Sequence, residues 1–149
     1  MTGRKIYNER RINLLNTVVD SSAVLSLLFG EPSAELVENI FAEAAEAQRE
    51  VYISAVNWTE VLYRVQQIQG TTGVKAAKQF EHETPLSIKQ VDRELAELAA
   101  QLKVMYKLSL GDAYCAALGK QMKATVVTGD LEFEPLKEHF NNIIWFSKK

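Results

Sequence analysis

The sequence predicts an α/β protein in which helices cover both faces of a mostly parallel sheet of about five strands. Short apolar runs rich in β-branched residues alternate with longer amphipathic stretches, as in consecutive βα units. The chain has 149 residues, of which 47% are hydrophobic and 24% are charged. That size and composition suit one domain with one packed core.

The first half of the chain supplies two predicted strands and four predicted helices. The β-branched run Thr17–Val19 predicts the first strand, and residues 51–53 predict the second. Gly30 and Pro32 end the first helix, and Ser33 can cap the next one. The predicted helices span residues 23–29, 33–48, 54–69 and 72–82.

The second half continues the pattern with three strands and three helices. Residues 86–88 form a weak strand pattern, whereas residues 125–127 (TVV) and 143–145 (IIW) form stronger ones. The predicted helices span residues 91–106, 109–122 and Leu131–His139. This alternation gives helices on both sides of the sheet.

Two of the predicted strands are each followed by an aspartate. Asp20 comes directly after the first strand, and Asp130 follows the 125–127 strand with Thr128 and Gly129 between them. In open parallel sheets, ligands bind outside the carboxyl ends of the strands. Both aspartates are therefore expected at the same edge of the sheet.

Two further acids lie near the starts of predicted helices. Glu60 shares a polar stripe with Asn57 and Arg64 beside the apolar face of its helix. Asp112 lies in the first turn of the 109–122 helix. Right-handed crossovers bring the N-termini of such helices to the carboxyl side of the sheet. Glu60 and Asp112 are thus expected near the two aspartates that follow strands.

Each acid also has a purely structural interpretation. Asp20 and Asp130 can cap the helices that follow them, Asp112 fits a capping box, and Glu60 can pair with Arg64 at i+4. Ser, Thr or Asn would cap a helix equally well, however. Several carboxylates at one edge repel each other unless a cation lies between them. The combination therefore favours a metal site.

The ligand types indicate which metal this would be. Oxygen ligands without His or Cys suit Mg²⁺ or Mn²⁺. A clustered set can hold two ions about 3.5–4 Å apart, which activate water and stabilise the leaving oxygen in phosphodiester cleavage. His82 and His139 are not spaced as a catalytic pair. The single cysteine, Cys115, is expected to be a buried packing residue.

Charge and composition exclude several classes of protein. One cysteine allows neither an internal disulfide nor a Cys-rich zinc site, and it fits a reducing cytoplasm. No stretch reaches the roughly 18–20 apolar residues of a membrane span. The net charge of −2 gives no global basic field for nucleic acid. Arg49, Arg64 and Lys120 are candidates for phosphate contacts, with a solvated surface as the default interpretation.

Residues 1–16 are basic but contain no long apolar run, so they do not resemble a signal peptide. We interpret them as a flexible N-terminal extension, which leaves residues 17–149 as the folded domain.

Four segments resemble the four motifs of the PIN-domain family. They are residues 18–25 (VVDSSAVL), 54–62 (SAVNWTEVL), 108–115 (LSLGDAYC) and 128–133 (TGDLEF). They occur in the family's order, and each contains one of the four acids. The short single-domain chain resembles the VapC-type toxin ribonucleases of type II toxin–antitoxin systems.

This resemblance implies a parallel sheet in the order 3-2-1-4-5 and an endoribonuclease that uses Mg²⁺ or Mn²⁺ to activate water. The products would carry a 5′-phosphate and a 3′-hydroxyl, because water rather than the 2′-hydroxyl is the nucleophile. Thr128 would support the last acid, and Ser21 would add a polar contact near the first. The implied partners are RNA, a small antitoxin and a second copy of the chain. The catalytic and metal-binding acids of the family map onto Asp20, Glu60, Asp112 and Asp130.

Two other classes of α/β protein fit the sequence less well. A phosphatase of the haloacid dehalogenase type needs a second Asp two residues after the nucleophile, where this chain has Ser22. A receiver domain needs a lysine after a late strand, which residues 128–130 do not offer. A PIN nuclease of RNA processing or quality control stays open, as do a non-catalytic metal-binding module and an activity on DNA.

Overall fold

A computed structural model describes residues 16–146, and within this range five strands form one parallel sheet. The order β3-β2-β1-β4-β5 confirms the α/β class and the strand order 3-2-1-4-5. Residues 1–15 of the basic extension lie outside the described range, so their interpretation stays a prediction. The strands are β1 (Thr17–Val19), β2 (Val51–Ser54), β3 (Leu86–Lys89), β4 (Thr125–Thr128) and β5 (Asn142–Trp145).

Five α-helices and one 3-10 helix connect these strands within the same range. Among the described residues, no helix is both long enough and apolar enough to cross a membrane. The helices are α1 (Ser21–Leu28), α2 (Ala34–Glu46), α3 (Ala55–Glu83), α4 (Arg93–Tyr106), α5 (Leu110–Met122) and the 3-10 helix η1 (Leu131–His139).

The sheet is buried on both faces, which explains why its strands are apolar at successive positions. Neighbouring side chains of a strand point to opposite faces. Val18 and Val126 pack with α4, α5 and η1, whereas Val19 and Val127 pack with α1, α2 and α3. All four valines are fully buried. The sheet is thus the middle layer of three.

Side-chain caps fix where two of the helices begin. Asp20 accepts a hydrogen bond from Ala23 N, so α1 begins at Ser21, two residues before the expected start. Asp92 caps α4 in the same way, and that helix begins at Arg93 rather than at residue 91. Caps satisfy backbone N–H groups that have no partner within the helix.

Two irregular segments depart from ideal α-helix. Residues 55–83 form one long helical segment that is broken at Gly70, where φ is 63° and ψ is −150°. This left-handed conformation favours glycine and separates the two helices predicted there. The predicted helix Leu131–His139 is a 3-10 helix with Pro135 inside it. Proline lacks the N–H that a regular α-helix would use at that position.

Candidate functional site

Asp20 lies at the carboxyl end of β1 and is almost fully buried, with 4% of its surface exposed. Its Oδ1 accepts hydrogen bonds from Ser22 Oγ at 2.7 Å and from Ala23 N at 2.9 Å. Its Oδ2 accepts a 2.6 Å hydrogen bond from Thr128 Oγ1. The capping interpretation therefore describes Asp20 correctly, and the same contacts hold the carboxylate rigidly at the edge of the sheet.

Thr128 connects the ends of the two central strands. It is the last residue of β4 and is fully buried. Its hydroxyl donates to Asp20 and accepts from Asp130 N at 3.0 Å. The sequence predicted support for the last acid, and the structure gives Thr128 contacts with both the first and the last. Of the two serines after Asp20, Ser22 makes the contact described above, whereas Ser21 is buried beside it.

Asp130 begins the 3-10 helix after β4 and is half-buried. Its Oδ1 accepts a hydrogen bond from Glu132 N at 2.9 Å. Its backbone carbonyl accepts one from Trp145 Nε1 at 3.2 Å. One carboxylate oxygen is thereby tied to the backbone, which fixes the direction of the other.

Asp112 lies in the first turn of α5, where its N–H donates to Ser109 Oγ at 3.2 Å. The pKa of Asp112 is raised from 3.8 to about 7. Burial is the largest cause, followed by a hydrogen bond with Asp130, the negative charge of Asp130 and that of Asp20. A hydrogen bond with Ser109 acts in the opposite direction. Asp112 thus shares its environment with both strand-end aspartates.

Glu60 lies on α3, with its carboxylate beside Gly111 at the start of α5. A Cβ atom at Gly111 would lie 3.0 Å from Glu60 Oε1, so glycine allows this close approach. Asn57 Nδ2 donates to the Gly111 carbonyl at 3.0 Å, and Ser54 Oγ donates to Asn57 Oδ1. These contacts bind the start of α3 to the start of α5. Within residues 16–146, Glu60 and Arg64 form no ion pair, in contrast to the solvated pair considered above.

A carboxylate that the sequence did not single out also belongs to the cluster. One oxygen from each of Asp112, Asp130 and Glu132 lies within 4.8 Å of the others. Glu132 is exposed and sits in the first turn of η1, where an acid is ordinarily explained by the helix dipole. The TGDLEF segment contained the only available signal, a second acid two residues after Asp130.

The donors at this site fit a hard divalent cation. They are carboxylate and hydroxyl oxygens, which suit Mg²⁺ and Mn²⁺ rather than softer metals. Burial, followed by the neighbouring charges of Asp130 and Asp20, raises the pKa of Asp112 and so disfavours its negative charge. A cation between these groups would remove that repulsion. Asp20, Asp112 and Asp130 are close enough to interact. Glu60 lies beside Gly111, and among the described residues it is not one of the acids whose oxygens come within 4.8 Å of one another.

Cys115 lies directly beneath the site, on α5, and is fully buried as expected. Burial raises the pKa of its thiol, and the charges of Asp20 and Asp112 raise it further. A thiol with a raised pKa is a poor nucleophile at neutral pH. Cys115 therefore serves packing.

One known protein family matches most of this chain. The family profile described as the PIN domain matches residues 17–138. No curated protein sequence gives a significant match to this chain.

Three solved structures illustrate the structural similarity. VapBC2 from Rickettsia felis, bound to a DNA fragment from its promoter, has a TM-score of 0.71 at 13% identity, covering 88% of this chain and 98% of that one. DNA-bound VapBC from Salmonella typhimurium also scores 0.71, at 18% identity over 87% and 97%. VapC20 from Mycobacterium tuberculosis, a toxin that cleaves the sarcin-ricin loop, scores 0.60 at 18% identity over 74% and 86%. At these identities the likeness concerns the fold.

Proposed function

Because the chain belongs to the PIN-domain family, we propose that it is a metal-dependent endoribonuclease of the VapC toxin type. The observation that carries the proposal is the convergence of Asp20, Asp112 and Asp130 from three separate elements. Burial, Asp130 and Asp20 together raise the pKa of Asp112, which a role as a helix cap does not require. Its oxygens are the ligands that phosphodiester-cleaving metal sites use.

The residues proposed to hold the metal are Asp112 and Asp130, with Asp20, Glu60 and Glu132 as further ligands, directly or through water. Asp112, Asp130 and Glu132 already offer oxygens within 4.8 Å of one another. A bound Mg²⁺ or Mn²⁺ supplies Lewis acidity, which lowers the pKa of water and stabilises charge on the phosphate.

The protein's own contribution is to hold these oxygens in place. Three hydrogen bonds fix Asp20, and the Thr128 hydroxyl links it to the backbone of Asp130. Fixed ligands need little reorganisation during the reaction, which favours catalysis.

RNA cleavage by the purified protein tests this proposal. A panel of structured and single-stranded RNAs would be incubated with Mg²⁺, Mn²⁺ or EDTA. We expect cleavage that EDTA abolishes and that leaves 5′-phosphate and 3′-hydroxyl ends. Asp112→Asn is expected to lower the cleavage rate by at least about 100-fold. A loss of this size is typical when an enzyme loses a group that stabilises charge in the transition state.

The matched control is Asp92→Asn, which changes an aspartate at the N-cap of α4, outside the cluster. Asn caps a helix as well as Asp does, so this variant should cleave at the wild-type rate. Ends that carry a 2′,3′-cyclic phosphate would contradict the proposed use of water. Equal cleavage by Asp112→Asn and wild type would contradict the assignment of the site.

The proposed partners are a small antitoxin and a second copy of the chain. The support is the fold shared with the toxin–antitoxin complexes of Rickettsia felis and Salmonella typhimurium. Co-expression with the product of the neighbouring reading frame should yield a stable complex in which RNA cleavage is inhibited. Light scattering of the isolated chain should give the mass of a dimer. An isolated monomer that no neighbouring gene product inhibits would favour a role in RNA processing.

A further inference from the structure

A groove between α1 and α3 opens beside the carboxylates and has a volume of about 340 Å³. That volume falls within the range of roughly 300–1,000 Å³ typical of small-ligand sites. Each helix contributes side chains four residues apart, which form a stripe along one face. The stripes consist of Ser21 and Leu25 on α1, followed by Phe29 at the C-cap of that helix, and of Glu60, Arg64 and Ile68 on α3.

One end of this α1–α3 groove is continuous with the carboxylate site. Ser22 lines the groove and donates its hydroxyl hydrogen bond to Asp20. Glu60 lines it too, with its Oε1 against Gly111, the residue before Asp112. A molecule cleaved at the carboxylates would therefore extend naturally into the groove.

The other end is apolar and open to solvent. Phe29 is half-buried, and Ile68 is an apolar side chain with 60% of its surface exposed to water. Leu25 closes the floor of the groove between them and is buried. The groove therefore suits a ligand with a polar end near the carboxylates and a flat apolar part farther away.

The charges of the groove limit how much phosphate it can bind. Arg64 is exposed and forms no ion pair within residues 16–146, so its guanidinium is available to a ligand. The groove also contains the carboxylates of Glu31 and Glu60. The one cation can contact a single phosphate. The two acids outnumber it, so the groove as a whole would repel a run of phosphates. The remaining space favours an uncharged group such as a nucleobase.

We propose that the α1–α3 groove binds one nucleotide of a single-stranded RNA next to the cleaved phosphate. The base would pack against Phe29 and Ile68, and Arg64 would contact the adjoining phosphate. This inference rests on the proposed function, because it takes the carboxylates as the point of cleavage. A groove for a base would select which bond is cut, since the carboxylates themselves contact only phosphate and water.

Binding of labelled single-stranded oligonucleotides separates the base contact from the phosphate contact. Asp112→Asn protein in Mg²⁺ buffer would be titrated with an oligouridylate, an oligoadenylate and an abasic ribose-phosphate oligomer of equal length, followed by fluorescence anisotropy. We expect the RNAs to bind roughly 5- to 150-fold more tightly than the abasic oligomer. This is the range that stacking of one base on an aromatic side chain provides. Ile68→Ser should remove most of that ratio. Arg64→Gln should weaken all three oligomers by a similar factor.

Arg93→Gln is the matched control, because it removes one exposed guanidinium from α4 on the opposite face of the sheet. Equal binding of RNA and abasic oligomers would overturn the inference, as would an Arg64→Gln effect no larger than that of Arg93→Gln. Either of these results is expected if the groove binds a protein segment and not RNA. Metal-dependent RNA cleavage by the wild type would then stand without the nucleotide subsite. Conversely, base-dependent binding without any cleavage would contradict the proposed nuclease and leave the groove as an RNA-binding site.

Discussion

Replacing Asp112 by Asn tests whether ionisation of this carboxylate, disfavoured by burial and by Asp130 and Asp20, costs stability when no metal is bound. The pKa of Asp112 is raised from 3.8 to about 7 in the folded protein. The folded state therefore binds this proton more tightly than the unfolded state does. Ionisation of Asp112 costs no stability below pH 3.8, costs progressively more up to about pH 7, and has its full cost above that.

The size of this effect follows from the pKa. Each unit of pKa corresponds to 1.36 kcal/mol, so the rise to about 7 sets an upper limit of about 4 kcal/mol. Asp112 is partly exposed, and solvent screening reduces the expected cost to about 1–2 kcal/mol. Asn cannot ionise and retains the hydrogen-bonding groups. In EDTA at pH 8, Asp112→Asn should therefore unfold at a higher temperature than wild type, by about 2–4 °C per kcal/mol.

Thermal unfolding in EDTA at pH 5 and pH 8 measures this difference. The stabilisation by Asp112→Asn should shrink as the pH falls, because wild-type Asp112 is then protonated. Asp92→Asn provides the baseline, since it changes a helix cap outside the cluster and should shift neither value. A variant that is less stable than wild type at pH 8, or a difference that does not depend on pH, would refute the raised pKa of Asp112.

Three further changes test two parts of the site and the packing of α5 against the sheet. Thr128→Val removes the hydroxyl between Asp20 and the Asp130 backbone, and should lower the free energy of unfolding by about 1–3 kcal/mol and the cleavage rate at least tenfold. Thr128→Ser should recover most of both losses in the same denaturant titration and RNA assay. Glu132→Gln should weaken Mg²⁺ binding severalfold in calorimetry without changing the unfolding temperature, because this side chain is exposed. Unchanged affinity would place it outside the metal site. Gly119→Ala should destabilise the fold by about 1–3 kcal/mol in urea, because the new Cβ would lie 2.7 Å from Val126 Cγ2. An unaltered urea midpoint would show that the neighbouring side chains rearrange to accommodate the added methyl group.

The fold could be predicted from the sequence because its signals are local. The β-branched runs that form β1, β2 and β4 are short and sharply bounded, and glycines mark the breaks at Gly30 and Gly70. The order of the strands, in contrast, came from the resemblance of four motifs. Helix starts were less accurate, because whether an acid lies before or inside a helix depends on the hydrogen bond that it accepts.

The candidate site could be predicted in part, because acids that follow parallel strands meet at one edge. What the sequence could not indicate were the contacts between distant residues. Thr128 was predicted to support Asp130, and its hydroxyl also donates to Asp20, which lies 108 positions away. Glu132 was missed, because an acid in the first turn of a helix needs no functional explanation. The closeness of Glu60 to Gly111 likewise depends on how two helices pack.

The link between Thr128 and Asp20 has a consequence for the chain while it is being synthesised. β1 pairs with β4, which comes much later in the chain. The first half of the polypeptide therefore emerges from the ribosome before the strand that β1 pairs with has been made. Asp20 then lacks the hydroxyl that fixes it, and Asp112 and Asp130 have not yet been translated. At roughly 5–20 residues per second, the nascent chain spends several seconds in this incomplete state. The proposed nuclease activity therefore has to wait until residues 112–130 have left the ribosome and Thr128 can reach Asp20.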